Sequence, residues 1–188
     1  MGRWKPGAEG RLMQSAMELY VERGFEQTTA AEIAERAGVT ERTFFRYFAD
    51  KREVLFGGAS ELQRIVLEAI EAAPTEASPV DAVLAGMFAG AERIGGNRDW
   101  SCQRAALLAA NPSLMERELL KLSALGEAAA DALRLRGVAA LPARLAAHTG
   151  VSVFSIGFDT WVGADPPGDF AECIRMALAE LRELTAAS

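Results

Sequence analysis

Two helix-start signals eleven residues apart, with a glycine between them, constrain this chain more than anything else in it. Thr29 is followed three residues later by Glu32 and then by Ile33, Ala34 and Ala37, the pattern of a capping box that opens a helix. Gly38 stops that helix after about two turns, and Thr40 is placed to cap another that runs to about Phe48. The first helix of the chain is predicted over residues 10–23, with Leu12, Ala16, Leu19 and Tyr20 at helical spacing and Gly24 as its stop. Asp50 with Glu53 repeats the capping pattern and predicts a fourth helix.

No sustained polar-apolar alternation occurs anywhere, and Ala, Leu, Glu and Arg fill the intervals between Gly and Pro. The expected fold class is therefore all-α. Beyond the short elements the helices lengthen, with spans predicted near 51–72, 79–95, 99–110, 113–136, 141–163 and 169–186. The chain divides accordingly into residues 1–50, an N-terminal region of three short helices, and residues 51–188, a C-terminal region of longer helices.

The case for DNA rests on the faces of the third helix. Two short helices joined by "AGVT" fit a helix-turn-helix, whose second helix enters the major groove. At 100° per residue, Phe44 and Phe48 fall on one side, while Arg42, Thr43, Arg46 and Tyr47 fall on the other. Guanidinium groups grip guanine O6 and N7, and hydroxyls reach bases or phosphates. Lys51 and Arg52 open the next predicted helix, where free backbone N–H groups attract a phosphate. Arg3 and Lys5, on a tail containing Gly and Pro, are suited to the DNA backbone or the minor groove.

Charge agrees with this assignment. The net charge is -6, yet residues 1–56 hold nine basic and nine acidic side chains; the remainder holds eleven basic against seventeen acidic. Basic islands at one end of an acidic body are what a single DNA-facing surface requires.

The stretch "TTAAEIAERAGVTERTFFRYFADKREVLF", residues 28–56, resembles the DNA-binding signature of the tetracycline-repressor (TetR) family. The resemblance implies that residues 1–50 are an N-terminal three-helix helix-turn-helix DNA-binding domain and residues 51–188 a C-terminal helical domain for effector binding and dimerisation, with DNA contacts from Thr28 or Thr29, Thr40, Arg42, Thr43, Phe45, Tyr47 and Lys51, a palindromic double-stranded operator, a homodimer built from the last two long helices, and a cavity for a small-molecule effector that releases the DNA. Two departures stand out: many relatives have Gly where Arg42 stands and Tyr where Phe45 stands, so the operator sequence does not transfer.

The residues support the dimer independently. Phe170, Ile174, Ala177, Leu181 and Leu184 advance by 4, 3, 4 and 3, an apolar seam that Cys173 and Leu178 widen. The preceding helix carries a stripe of Val151, Phe154, Phe158 and Trp161 and a second of Val153, Ile156, Gly157 and Thr160, so both its sides need cover. One side suits its own domain and the other a symmetry mate. For the effector, Met87, Phe88, Trp100, Cys102, Met115, Phe154, Phe158 and Trp161 are candidate lining, with His148 or Arg104 at a polar end. Such a lining would take a hydrophobic or amphipathic molecule, and each of these residues equally suits an ordinary core.

Other classes fare worse. With a single histidine and two distant cysteines, Cys102 and Cys173, the chain offers no metal cluster, disulfide framework or catalytic triad. No enzyme activity and no cofactor are expected. Its first residues lack the apolar stretch of a signal peptide, and the longest uncharged run, between Arg144 and Asp159, is fourteen residues; a soluble cytoplasmic protein without a membrane partner is expected. A constitutive DNA-binding protein without effector, and an all-helical small-molecule carrier, remain as alternatives.

Overall fold

The computed structural model describes residues 7–186. Among the described residues there are nine α-helices and no strand: α1 (Ala8–Arg23), α2 (Ala30–Arg36), α3 (Glu41–Tyr47), α4 (Ala59–Ala72), α5 (Pro79–Gly95), α6 (Arg98–Ala110), α7 (Pro112–Leu135), α8 (Ala140–Val162) and α9 (Phe170–Ala186). The all-α class expected from the sequence is the one observed. No described helix is long and apolar enough to cross a membrane.

The helices form two compact units. The first extends to Ala59 and takes in Gln103–Glu116; the second comprises Ser60–Cys102 and Arg117–Ser188. The first unit therefore runs past residue 50 and recruits a second, distant piece of chain.

In the first unit, local chemistry sets the element boundaries. The Thr29 hydroxyl accepts from the Glu32 amide at 3.2 Å while the Glu32 carboxylate accepts from the Thr29 amide at 2.9 Å, a complete capping box. The bond from the Thr29 backbone, and after it one of 2.9 Å from the Thr29 hydroxyl to the same carboxylate, hold the Glu32 carboxyl below the usual range. Thr40 caps α3 by accepting from the Thr43 amide at 3.2 Å. Gly24 and Gly38 end α1 and α2 with φ of 86° and 68°, a backbone shape that a side chain opposes.

The unit closes around Leu12, Ala16, Leu19 and Tyr20 of α1, Ile33 and Ala34 of α2 and Phe44 of α3, all buried. Burial pushes the Tyr20 phenol far above its ordinary value, and the neutral hydroxyl donates to the Lys51 carbonyl at 2.5 Å.

The expected continuous helix over 51–72 is interrupted. Asp50 does accept from the amides of Arg52 and Glu53, but the turn that follows, Glu53–Phe56, is a 3-10 turn. The Gly57–Gly58 pair separates it from α4, since adjacent glycines raise the cost of continuing a helix. Asp50 also binds the Arg52 guanidinium, which keeps its carboxyl below the usual range.

In the second unit α5, α8 and α9 pack on one another, with α4 and α7 contributing to the same core. Ser78 caps α5 and Pro79 occupies its first turn. Arg136, just past α7, donates to the carbonyls of Ile70, Glu71, Ala73 and Pro74 and so satisfies the exposed end of α4. Arg98 does the same for α8 through Trp161 and Gly163. Helices α8 and α9 approach closely at Gly157, where a Cβ would stand 3.0 Å from both the Cα and the N of Ile174.

Candidate nucleic-acid interface

Helix α3 is anchored by Phe44, fully buried, and by Phe48 just beyond its end, 4% exposed. The two rings lie 5.7 Å apart. With that side fixed, Arg42, Phe45, Arg46 and Tyr47 point to solvent. Arg42, Thr43, Phe45 and Arg46 surround a shallow hollow. Tyr47 and Arg46 hold one another, the guanidinium standing 5.0 Å over the phenol ring and donating to its hydroxyl at 3.3 Å. Thr40 and Thr43 share a hydroxyl–hydroxyl bond of 2.9 Å, so each threonine is held by its cap and still faces outward or half outward.

Two of the expected DNA contacts, Thr28 and Lys51, turn inward. Thr28 is 1% exposed, and its hydroxyl donates to the Gly24 carbonyl at 2.9 Å; it closes the turn after α1 and is sealed from any duplex. Thr29, its alternative, is exposed at the α2 start. Lys51 spends its ammonium inside the protein, donating to the carbonyls of Phe25, Glu26 and Thr28 at 2.9, 3.2 and 3.0 Å and lying 4.4 Å from the centre of the Phe25 ring. An ammonium has three N–H donors, and here all three have carbonyl partners. Arg3 and Lys5 lie outside the described residues.

The second unit presents an open groove of about 810 Å³ along α8 and α9. Of the expected interface residues, Val153, Ile156, Thr160, Ala177, Leu181 and Leu184 line it. Phe170 and Ile174 do not: they are 2% and 0% exposed and belong to the core, Ile174 against Gly157 and Phe170 against the rings of Phe154, Phe158 and Trp161. Leu141, Leu145 and Met176 take part instead, and they are 70%, 62% and 44% exposed. Their signal was present in the sequence as an i, i+4 pair on α8 and one position beside the chosen seam on α9.

The ten candidate effector residues are divided between the two units. Arg104 and Met115 belong to the first unit, where Arg104 donates to the Leu55 carbonyl at 2.9 Å and stacks over Phe56. Met115 is 38% exposed. His148 lies on the α8–α9 groove, 3.1 Å from Glu127, whose carboxyl is held below its usual range chiefly by that bond. Cys102 reaches the Val162 carbonyl at 3.7 Å. Met87 is fully buried in the core, and Phe88 packs against its edge with Arg175 6.0 Å over the ring. Trp100 is half-buried on α6. Phe154, Phe158 and Trp161 do gather, joined by Phe170, with the Trp161 and Phe170 rings stacked at 5.1 Å. This aromatic cluster is the part of the expected lining that stays together.

A short capped helix pair whose second member buries its phenyl rings and exposes arginines defines the helix-turn-helix class of DNA-binding protein. The family model of bacterial regulatory proteins, tetR family, matches residues 12–56, and the model of the MftR C-terminal domain matches residues 77–186, more than half of the chain. The chain belongs to the tetR family, whose members are transcriptional regulators and not enzymes.

Among curated relatives, the transcriptional regulator TcmR of Streptomyces glaucescens is 40% identical over 78 residues, 42% of this chain and 34% of that protein. The chain spans about a third to under half of the curated relatives it matches, 34% to 45% of their length. Among solved structures, the repressor FadR of Thermus thermophilus in complex with lauroyl-CoA is 27% identical, with a TM-score of 0.52 over 93% of both chains. FadR of Bacillus subtilis with stearoyl-CoA shares the fold at 20% identity, with a TM-score of 0.62 over 92% of this chain and 96% of that one.

Proposed function

We propose that this chain is a cytoplasmic, homodimeric repressor that binds a palindromic operator through α3 and releases it when an amphipathic small molecule binds the second unit. The observation that carries the proposal is the two-sidedness of α3: Phe44 and Phe48 are buried while Arg42, Arg46 and Tyr47 stand in solvent. Arg46 and Tyr47 hold one another and stay exposed, and that chemistry suits bases and phosphates.

Dimerisation is supported by the α8–α9 groove. Leucine and isoleucine side chains more than half exposed along one face of two long helices are costly in water, and a second copy related by a two-fold axis would cover them in a four-helix arrangement. Two copies also supply the two reading heads that a palindrome calls for.

For the effector, the Thermus relative binds a fatty acyl thioester, and the aromatic cluster of Phe154, Phe158, Trp161 and Phe170 offers an acyl chain an apolar surface in this chain's second unit. An effector that favours a head spacing mismatched to the half-sites weakens DNA binding by its differential affinity for the two states and by no more.

Selection from a random duplex pool tests the reading. A palindromic product whose affinity falls for Arg46→Ala and on addition of lauroyl-CoA supports it. A palindrome bound equally well with and without lauroyl-CoA, and with a panel of other amphiphiles, identifies a constitutive DNA-binding protein instead.

A further inference from the structure

Phe45 is the residue on the reading face that the chemistry above leaves unused. At 100° per residue, Arg42, Phe45 and Arg46 fall within roughly 100° of one another, with Arg46 opposite the Phe44–Phe48 side. Arg46 stands at the middle of the outward surface, with Arg42 and Phe45 on one side of it and Thr43 and Tyr47 on the other, and Phe45 borders the buried side at about 60° from Phe48. The Phe45 ring is 51% exposed and meets Phe44 edge-on at 5.3 Å, a contact that holds it upright without covering it. Guanidinium groups stand on both sides, and Arg46 is steadied by Tyr47.

A phenyl ring has neither donor nor acceptor, so Phe45 has nothing to offer a phosphate. The major groove presents one apolar group, the 5-methyl of thymine, and apolar side chains contact it. The flanking guanidinium forks match guanine O6 and N7. The two arginines are four positions apart, about 6 Å along the helix and so roughly two base-pair steps.

We propose that Phe45 reads a thymine methyl in each half-site, with guanines within one or two steps on either side read by Arg42 and Arg46. The proposal rests on α3 being the reading helix and adds the bases it selects. It also gives Arg42 and Phe45, the two positions where the chain departs from the common signature, a joint purpose: discrimination between bases in place of a phosphate hydroxyl.

The test uses the full chain and the tightest duplex recovered from a random pool. Each thymine is replaced in turn by deoxyuridine, which removes only the methyl, and each guanine by 7-deazaguanine, which removes N7. The wild-type protein is expected to lose affinity about fourfold per half-site at one thymine position, the worth of one buried methyl-sized group. Phe45→Ala is expected to be insensitive at that position while keeping the wild-type salt dependence, since no phosphate contact is lost. Loss of N7 is expected to cost about tenfold at two guanines, one insensitive in Arg42→Ala and the other in Arg46→Ala. Because all three side chains are exposed, circular dichroism melting of the variants is expected to match wild type.

A selected palindrome without thymine at the half-site centre, or uracil sensitivity that survives Phe45→Ala, overturns the assignment of Phe45 and leaves the reading helix intact. Recovery of no preferred duplex overturns both. If Phe45→Ala instead lowers the salt slope, the ring acts on backbone placement and the thymine assignment fails.

Discussion

Replacing Lys51 with methionine separates a structural role from a DNA contact, because the two roles predict different observables. Methionine keeps most of the aliphatic stem and removes the three bonds to the carbonyls of Phe25, Glu26 and Thr28. Two of these acceptors are partly sheltered and the bond to Glu26 is exposed. At about 1.5 kcal/mol for each sheltered bond to a charged donor the gross loss is about 3 kcal/mol. Roughly 1 kcal/mol returns as rotamer freedom, leaving a net loss of about 2 kcal/mol.

For a chain of this size such a loss lowers Tm by about 4–8 °C. Lys51→Arg is expected to recover only part of it, since a planar fork cannot converge on three carbonyls as an ammonium does. The assay pairs thermal melting with operator affinity measured across a salt series. If Lys51 organises the turn between α1 and α2, stability falls while the slope of log affinity against log salt holds. A wild-type Tm together with a slope lowered by about 0.9 per contact would refute the reasoning and return Lys51 to the phosphates.

Four further outcomes are expected. Ile156→Glu, at a residue 58% exposed on the α8–α9 groove, should yield a folded monomer by sedimentation, with operator affinity down at least tenfold; a persistent dimer would assign the groove to something else. Gly157→Ala should cost about 1–3 kcal/mol in chemical denaturation, because the new Cβ meets the backbone of Ile174 and that backbone cannot step aside. Burial raises the Tyr20 pKa in the folded state above the unfolded value near 10, so its contribution is complete below pH 10 and declines as pH rises beyond it. Denaturation at pH 9 and pH 11 should therefore show a steeper alkaline loss for wild type than for Tyr20→Phe. Thr40→Ala should cost about 1 kcal/mol through loss of the α3 cap, read as a lower urea midpoint.

The first unit was legible in the sequence wherever a bond is local. Both threonine caps, the Glu32 reciprocation and the glycine stops depend on residues within four positions of one another, and all appear where the spacing places them. The inward side of α3 followed from helical period alone. What the sequence concealed depends on distant partners and on burial. Lys51 belongs to a polar sequence stretch yet reaches back more than twenty residues to three carbonyls, and Thr28, whose partner Gly24 is only four positions away, is hidden by a burial that spacing does not show.

The same holds in the second unit. A heptad count along α9 includes Phe170 and Ile174, but whether they face a partner or the core is decided by Gly157 and the rings of Phe154, Phe158 and Trp161 on another helix. Histidine spacing likewise gave no hint that Glu127, 21 residues earlier, engages His148 on the groove side of α8. The break at Gly57–Gly58 was readable, and the capping pattern of Asp50 and Glu53 outweighed it in the expectation.

Seven residues are too few for a helix to persist alone in water, so α3 exists only because Phe44 and Phe48 tether it from behind. Tethering and recognition thus occupy opposite sides of one short cylinder. Exchanges at positions 42, 45 and 46 leave the tether untouched, and a new target preference becomes available to this scaffold without any repair to its interior.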